Sequence, residues 1–240
     1  MIRSSAVLAM VLARSGSRGI ADKNMRVVSG RTLIARAAET VGRCTTVDAR
    51  MISTDSARYL EEGVRHGLDG WFVRPDELAS DSATAVDTAI HALLEAERHY
   101  DRTFDIALII EPTSPLRRPE DIDACVRLVA EDGVDSVVAV SPVDAKFHPK
   151  KLLRIEEGHL RHYDAGGDQI TARQQLESGL YYRNGICYAI RRRALVEDKR
   201  IFTDRTRPFV VDRPVVNIDE PFELELAEFL LRRADPVEPK

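Results

Sequence analysis

The sequence contains few cysteines, and they are far apart. Cys44, Cys125 and Cys187 are an odd number and form no Cys-x-x-Cys pair, which argues against a disulfide framework or a zinc site. Cysteine usage of this kind fits a reducing compartment, so we expect a cytoplasmic protein. The six histidines show no metal-ligand spacing and there is no Gly-x-Ser-x-Gly motif, so acyl transfer is not predicted.

Long apolar runs are also missing. No stretch approaches the roughly 18 apolar residues of a membrane-spanning helix. The apolar segment 5–13 runs directly into charged sequence and has no cleavage signal. We therefore expect this segment to be a first β-strand rather than a signal peptide, and we expect no membrane partner.

Lysine and net positive charge are scarce. Only six of the 35 basic residues are lysine, and the net charge is −4. The chain as a whole is therefore not suited to attract nucleic acid or an anionic membrane. Arginine recognises phosphate and carboxylate groups in a planar, two-pronged geometry. A GC-rich genome also explains an excess of arginine, and composition alone leaves both explanations open.

The sequence does contain an alternation of strand-like and helix-like patterns. Its 240 residues are enough for one α/β domain with a small appendage. Short apolar runs, typical of buried parallel strands, lie at residues 6–12, 50–53, 71–73, 106–110 and 136–140. Apolar residues at helical spacing lie between them, at residues 33–41, 57–64, 86–94 and 122–129. This βαβα order predicts a doubly wound, mostly parallel sheet.

The pattern changes after Pro142. Residues 152–161 have the pattern of a β-hairpin that turns at Glu157-Gly158, and residues 164–179 are polar and weakly periodic, as in a projecting arm. Strands are expected again at residues 186–190 and 214–218, followed by a closing helix at residues 221–233. We therefore divide the chain into an α/β domain, residues 1–141 with 186–240, and an arm, residues 142–185.

The loop after the first expected strand, residues 13–24, reads Ala-Arg-Ser-Gly-Ser-Arg-Gly-Ile-Ala-Asp-Lys-Asn. Open α/β sheets bind their ligands at this position. Two glycines allow the backbone to approach an anion, and Arg14, Arg18 and Lys23 bring three positive charges to one loop. The loop is neither a Walker A loop nor Gly-x-Gly-x-x-Gly. It suits a polyphosphate, and a solvated basic loop is the alternative.

This loop resembles the nucleotide-binding signature of the N-acylneuraminate cytidylyltransferases, which make CMP-sialic acid. Relatives of that family activate Kdo, legionaminic and pseudaminic acids. Further motifs of the family follow in order: residues 74–81, residues 111–117, His148-Pro149 with Lys151, Arg173-Gln174-Gln175, Asn184-Gly185 and Asn217-Ile218-Asp219. The resemblance extends over residues 7–231, nearly the whole chain. It indicates the family more strongly than the acceptor.

The resemblance implies an enzyme that binds CTP and Mg²⁺, lets a small acidic acceptor attack the α-phosphorus, and releases pyrophosphate. In such chemistry the protein mainly positions the reactants and offsets negative charge. The implied catalytic role of Arg14, Arg18 and Lys23 is to hold the triphosphate and stabilise the departing pyrophosphate. Other expected nucleotide contacts are Ala13, Gly16, Ser17 and Asn24.

The family's second motif frames the cytosine. By resemblance, Arg74 and Asp81 shape the base pocket, and the backbone around Ala83 reads the base edge. The alternative for these residues is an ion pair at a strand end together with a helix N-cap.

Two departures from the family concern the metal. The family has two aspartates where this chain has Asn217 and Asp219, and usually glutamine where it has Glu111. Magnesium bound with phosphates needs only one or two protein carboxylates, so Asp219, Asn217 and Glu111 are the expected metal-site residues. Glu111 is alternatively a catalytic base for the acceptor. A helix N-cap is the alternative for Asp219.

The acceptor pocket is expected to involve Glu111, Arg173, Gln174 and Asn184. Arginine suits this role because it binds a carboxylate through two parallel hydrogen bonds. A flexible charged loop is the alternative for Arg173. The resemblance also implies that the arm forms a homodimer and contributes to acceptor binding.

We therefore predict a cytidylyltransferase whose default acceptor is a nonulosonic acid such as an N-acylneuraminate. Two alternatives stay open at this point. One is the same transfer to a phosphonate such as phosphonoformate in natural-product biosynthesis, because fold resemblance does not fix a substrate. The other is a non-catalytic nucleotide-binding module, which Asn217 supports.

Overall fold

Strand β1 (Val7–Leu12) is apolar throughout and buried along nearly its whole length. The structure is a computed structural model and describes residues 5–17, 19–80, 83–164, 166–169, 172, 174, 176 and 179–234. Besides β1, the strands in these described ranges are β2 (Val27–Val28), β3 (Arg31–Thr32), β4 (Ala49–Ser53), β5 (Ile106–Ile110), β6 (Ser136–Pro142), β7 (Leu153–Glu156), β8 (His159–His162), β9 (Tyr181–Arg191) and β10 (Thr206–Val210). The helices there are α1 (Leu33–Gly42), α2 (Ala57–Arg65), α3 (Ala85–Tyr100), α4 (Pro119–Ala130), α5 (Arg192–Val196) and α6 (Pro221–Ala234).

Six strands form one sheet in the order β10-β6-β9-β5-β1-β4. Strand β1 runs parallel to both neighbours, with Val11 beside Ile52 of β4 and beside Ile110 of β5. Strand β9 is antiparallel to β5. The carboxyl ends of β1, β4 and β5 therefore meet at one edge of the sheet, where α/β proteins bind ligands. The predicted doubly wound, mostly parallel sheet is confirmed.

The chain divides into two compact units. The larger unit comprises Met1–Ala139, Asn184–Phe209 and Pro214–Lys240, and the smaller comprises Val140–Arg183 and Val210–Arg213. In the smaller unit β7 and β8 form a hairpin with Glu156 paired to His159. Glu157 and Gly158 both have positive φ, 51° and 78°, as a tight two-residue turn requires. The predicted hairpin turn at Glu157-Gly158 is confirmed.

Hydroxyl side chains cap the N-termini of the helices that follow β3 and β4. The Thr32 oxygen accepts the Ala35 N–H and so caps α1, and the Ser56 oxygen accepts the Tyr59 N–H and caps α2. Such caps satisfy backbone donors that have no partner within the helix. None of the helices in the described ranges is long and apolar enough to cross a bilayer.

We expect Thr32→Ala to lower the free energy of unfolding by about 1–2 kcal/mol. Thr32 Oγ1 accepts the Ala35 N–H at 3.0 Å and donates to the buried Glu62 carboxylate at 2.7 Å, so the variant loses both bonds. Thr32→Ser keeps both and is the matched control. Urea denaturation measures the difference, and an unchanged midpoint for Thr32→Ala would show that the cap contributes nothing.

The expected strand at residues 71–73 was wrong. Trp71 stacks on His99 with ring centroids 3.9 Å apart, and Phe72 meets His91 edge-on at 5.5 Å. Both histidines lie on α3. Aromatic packing onto a helix therefore replaced strand pairing, and a short apolar run alone does not distinguish the two.

The expected strand at residues 214–218 was also wrong. Val216 and Ile218 are buried in a cluster with Leu33 of α1 and Ala227 of α6, rather than in a sheet. The segment is held at β5 by the Ile218 N–H, which donates to the Thr113 carbonyl at 2.8 Å. The sixth strand of the sheet is instead β10, whose half-exposed sequence with an internal proline gave no strand signal.

Candidate active site

The loop at residues 13–24 is anchored to the neighbouring strand and to itself. The Ala13 N–H donates to the Ser53 carbonyl at the end of β4 at 3.1 Å. Asn24 is 4% exposed, and its Nδ2 donates to the Arg14 carbonyl at 3.0 Å. Its Oδ1 is buried and has no hydrogen-bond partner in the described structure. A buried acceptor without a partner is uncommon and calls for a ligand or water.

Lys23 ties this loop to the segment before α6. Its Nζ donates to the Ile218 carbonyl at 2.9 Å and to Asp219 Oδ1 at 2.7 Å. The Lys23 side chain is 15% exposed and that of Asp219 is 72% exposed. The loop also touches the segment at Gly19, where a Cβ atom would overlap the Asp219 carbonyl oxygen. Two motifs nearly 200 residues apart therefore form one site.

A cavity of about 310 Å³ opens beside this pair. It is lined by Leu12, Arg14, Ser17, Gly19, Lys23, Asn24, Glu111, Pro112, Thr113 and Asp219. Six of the site residues expected from sequence are among them. The lining combines two cations from the first loop with two carboxylates from other segments, an arrangement that can hold phosphates together with a divalent cation.

Glu111 ends β5 and is wedged against a glycine. A Cβ at Gly185 would lie 2.5 Å from Ser114 Oγ, 2.9 Å from Glu111 Oε2 and 3.1 Å from Asn217 Cγ. Gly185 also has a φ of +72°, which favours glycine. Glu111 and Asn217 are therefore close neighbours, and only a residue without a side chain fits behind them.

Arg74 lies at the same edge of the sheet, after β4, and is 4% exposed. Its Nε and Nη2 are buried without a hydrogen-bond acceptor in the described structure, and Nη2 lies 3.9 Å from Asp55 Oδ1. Burial lowers the pKa of Arg74, Asp55 raises it and Arg14 lowers it further. The ion pair expected as an alternative is therefore present, but it leaves guanidinium donors unused. The helix that follows is capped by Thr84.

Comparison with known proteins identifies the family. The profile of the cytidylyltransferase family matches residues 8–230. The chain belongs to the cytidylyltransferases. A CMP-N,N'-diacetyllegionaminic acid synthase of Legionella pneumophila is 29% identical over 234 residues, which cover 94% of this chain and 96% of the relative. An N-acylneuraminate cytidylyltransferase of Streptococcus agalactiae is 29% identical over 83% of this chain and 46% of its own length.

The fold comparison agrees with the sequence comparison. The structure of CMP:2-keto-3-deoxy-manno-octonic acid synthetase complexed with CTP superposes with a TM-score of 0.72 at 16% identity, covering 96% of this chain and all of that chain. At this identity the likeness shows the fold alone. With the family match, it makes this chain a nucleotidyltransferase with the fold that sequence analysis predicted.

Two carboxylates of this cytidylyltransferase could hold a divalent cation. The described residues contain no cluster of three or more histidine, cysteine, aspartate or glutamate side chains suited to a metal. Glu111 and Asp219 nevertheless line one cavity, and Mg²⁺ shared with phosphates needs no more. Asp219 Oδ1 accepts a hydrogen bond from Lys23 Nζ at 2.7 Å. At the start of α6 the Glu223 carboxylate accepts the Asp219 and Glu220 N–H groups.

Arg117 is a site residue that sequence analysis missed. Its guanidinium donates to the carbonyl oxygens of Glu111 at 2.6 Å and Gly185 at 2.9 Å, and also to that of Ile186. Burial lowers its pKa, although arginine stays charged at any accessible pH. Arg117 thus fixes the end of β5 against β9. The only sequence signal of this role was that Arg117 lies in the family motif at residues 111–117.

The structure describes only some of the residues expected to contact the acceptor. Asn184 is 1% exposed, and its Oδ1 accepts the Ile186 N–H at 3.1 Å. Gln174 is exposed in the smaller unit. Ala83 is half-buried, and its N–H donates to the Ser80 carbonyl at 3.2 Å. Three expected site residues lie outside the described residues: Arg18, Asp81 and Arg173.

Two glycines of the first loop offer a matched pair of variants. A Cβ at Gly19 would meet the Asp219 carbonyl, whereas a Cβ at Gly16 would meet nothing within 4 Å. We expect Gly19→Ala to lower kcat/KM by about 100-fold, since small displacements of positioning groups cost this much. Gly16→Ala adds a methyl group that meets no protein atom and is expected to have a clearly smaller effect. Steady-state kinetics with CTP measure both, and equal effects would show that the contact of the loop with Asp219 does not matter.

Proposed function

We propose that this protein transfers CMP from CTP to a small acidic acceptor, with Mg²⁺ bound, and releases pyrophosphate. One observation carries the proposal. The cavity at the carboxyl edge of the sheet gathers Arg14 and Lys23 beside the carboxylates of Glu111 and Asp219. Membership of the cytidylyltransferase family supplies the reaction class, and the cavity supplies the charges that this reaction needs.

The first loop binds the triphosphate in this proposal. Arg14, Arg18 and Lys23 offset its charge and stabilise pyrophosphate as it leaves. Lys23 is held by Asp219 and the Ile218 carbonyl before substrate arrives, so its position costs little reorganisation during the reaction. Asn24 lines the same cavity, and backbone contacts from Ala13, Gly16 and Ser17 are proposed beside it.

Glu111 and Asp219 are proposed to hold the cation, with Asn217 next to Glu111 and Lys23 beside Asp219. When bound, Mg²⁺ polarises the phosphoryl oxygens and orients the triphosphate. Arg74 is assigned to the base by the family resemblance, and two of its buried donors have no acceptor among the described residues. Asp81 and the backbone at Ala83 complete the base pocket.

The proposed acceptor is a nonulosonic acid. The names of the Legionella pneumophila and Streptococcus agalactiae relatives support this class. Arg173, Gln174, Asn184 and Glu111 are proposed to contact it, with Arg173 recognising its carboxylate. The three cysteines are free thiols, which fits the cytoplasm, the proposed compartment.

We also propose a homodimer formed through the arm. In the hairpin of the smaller unit, Ile155 pairs across the strands with Leu160, and these side chains are 76% and 65% exposed. Apolar residues on an uncovered hairpin suit an interface. Analytical ultracentrifugation of wild type and Ile155→Glu tests the proposal: we expect a dimer that the variant shifts to monomer, and a monomeric wild type would refute it.

A pyrophosphate-release assay tests the function. CTP and Mg²⁺ are supplied with N-acetylneuraminate, a legionaminate, Kdo or phosphonoformate, and GTP replaces CTP as control. We expect release with CTP and at least one nonulosonic acid. Turnover with phosphonoformate alone would refute the proposed acceptor class. Stabilisation by CTP without turnover on any acceptor would indicate a non-catalytic binding module.

A further inference from the structure

The loops after β1 and β4 are joined by a carboxylate for which the reaction has so far given no role. Asp55 Oδ1 accepts the Ser15 N–H at 2.8 Å, and Asp55 Oδ2 accepts the Ser15 hydroxyl at 2.6 Å. Ser15 lies between Arg14 and Gly16 in the first loop. Asp55 therefore holds the start of the proposed triphosphate-binding loop through both of its oxygens.

The same carboxylate is the negative charge nearest to Arg74 among the ion pairs of the described residues, at 3.9 Å. That distance is too long for a hydrogen bond, and Arg74 Nε and Nη2 are buried with no acceptor among the residues that the structure describes. Arg74 is nevertheless fixed by its backbone, whose N–H donates to the Thr54 carbonyl at 2.7 Å. Asp55 thus balances the charge of Arg74 without accepting a hydrogen bond from it.

A buried guanidinium without a counter-charge is strongly disfavoured. Burial lowers the pKa of Arg74, and the nearby positive charge of Arg14 lowers it further. The negative charge of Asp55 raises the pKa of Arg74 and so opposes both effects. In the proposed site Arg74 is buried and charged before the base binds, and few hydrogen bonds stabilise it. The charged form of Arg74 therefore depends on the Asp55 carboxylate.

We propose that Asp55 is a positioning residue that holds the triphosphate loop through Ser15 and the base-facing arginine through its charge. The inference rests on the proposed function, since it assumes that Arg74 faces the base. It predicts that base selectivity and triphosphate binding depend on one side chain and can be separated by choosing which of its interactions is removed.

Asp55→Asn and Ser15→Ala separate the two interactions. An asparagine can accept the Ser15 N–H with its oxygen and donate to the Ser15 hydroxyl with its amide, so Asp55→Asn keeps the loop contacts and removes the charge. Ser15→Ala removes a loop contact and keeps the charge. Asp55→Ala removes both. Glu61→Gln, which neutralises an exposed carboxylate on α2, is the control.

Calorimetric titration with CTP, UTP and inorganic triphosphate, each with Mg²⁺, reads the two effects. We expect Asp55→Asn to reduce the preference for CTP over UTP by about tenfold while inorganic triphosphate binds within about twofold of wild type. We expect Ser15→Ala to weaken inorganic triphosphate by about fivefold without changing the CTP/UTP preference. Melting temperatures verify that each variant is folded. If Asp55→Ala does not fold, the two single variants Asp55→Asn and Ser15→Ala are enough for the test.

An unchanged CTP/UTP preference in folded Asp55→Asn would overturn the proposal, because a purely structural role for Asp55 predicts that result. Equal losses with all three ligands would overturn it as well. A wild-type protein that binds inorganic triphosphate but shows no preference for CTP would instead refute the proposed function, so the two failures are distinguishable.

Discussion

Replacing Lys23 by methionine is expected to lower kcat for CMP transfer by about 1,000-fold, the scale of losing one charged group that stabilises a departing phosphate. Lys23 lines the cavity. Its Nζ is already positioned there by hydrogen bonds to Asp219 and to the Ile218 carbonyl. Methionine has similar length but neither charge nor donors, so the pyrophosphate leaves without that compensation. Steady-state kinetics at saturating CTP and acceptor measure the effect.

Lys146→Met is the control for general loss of positive charge, because Lys146 is exposed and lies in the smaller unit. We expect the Lys146 variant to keep wild-type kcat. If Lys23→Met kept kcat within about threefold and only raised KM for CTP, Lys23 would contribute uniform binding rather than stabilisation of the transition state.

Glu111→Gln is expected to lower kcat/KM by about 100-fold and to raise the Mg²⁺ requirement. Glutamine preserves the shape of the side chain beside Gly185 but removes one of the two carboxylates that line the cavity. A titration of rate against Mg²⁺ concentration measures the shift. Glu120→Gln, which changes a carboxylate at the start of α4, is the matched control.

A second substitution tests whether the lost carboxylate acts on the cation. Glu111 Oε2 and Asn217 Cγ both lie within 3.1 Å of the position of a Gly185 Cβ, so Asn217→Asp returns a negative charge close to the one that was removed. We expect Glu111→Gln/Asn217→Asp to recover about tenfold of the lost activity and to lower the Mg²⁺ requirement. Loss of activity with an unchanged Mg²⁺ requirement and no recovery would show that Glu111 serves the acceptor instead.

Much of the fold followed from periodicity. The apolar runs that became β1 and β5, and the helical spacing that became α1 and α3, left few alternatives for a chain of this length. Prediction failed where apolar residues were buried by something other than a sheet. Trp71 packed on α3, and Ile218 packed under α6. Local sequence does not show which surface will cover an apolar segment.

The site was predictable where a motif follows a strand. Arg14 and Glu111 come directly after β1 and β5, Lys23 lies in the same loop as Arg14, and parallel strands bring such residues to one edge. Asp55 and Arg117 were not found, because each acts through another residue: one holds Ser15 and the other holds backbone carbonyls. The place of Arg117 in a family motif was a weak signal, and the sequence showed none for the contact of Asp55 with Ser15.

Phosphorus-31 NMR of the reaction is the most direct test of CMP transfer at this cavity. Wild-type protein with CTP, Mg²⁺ and an N-acylneuraminate should convert the three triphosphate resonances into one phosphodiester resonance and pyrophosphate in equal amounts, and Lys23→Met should not do so on the same timescale. Intact CTP with every nonulosonic acid, or hydrolysis to CMP without a conjugate, would contradict the account.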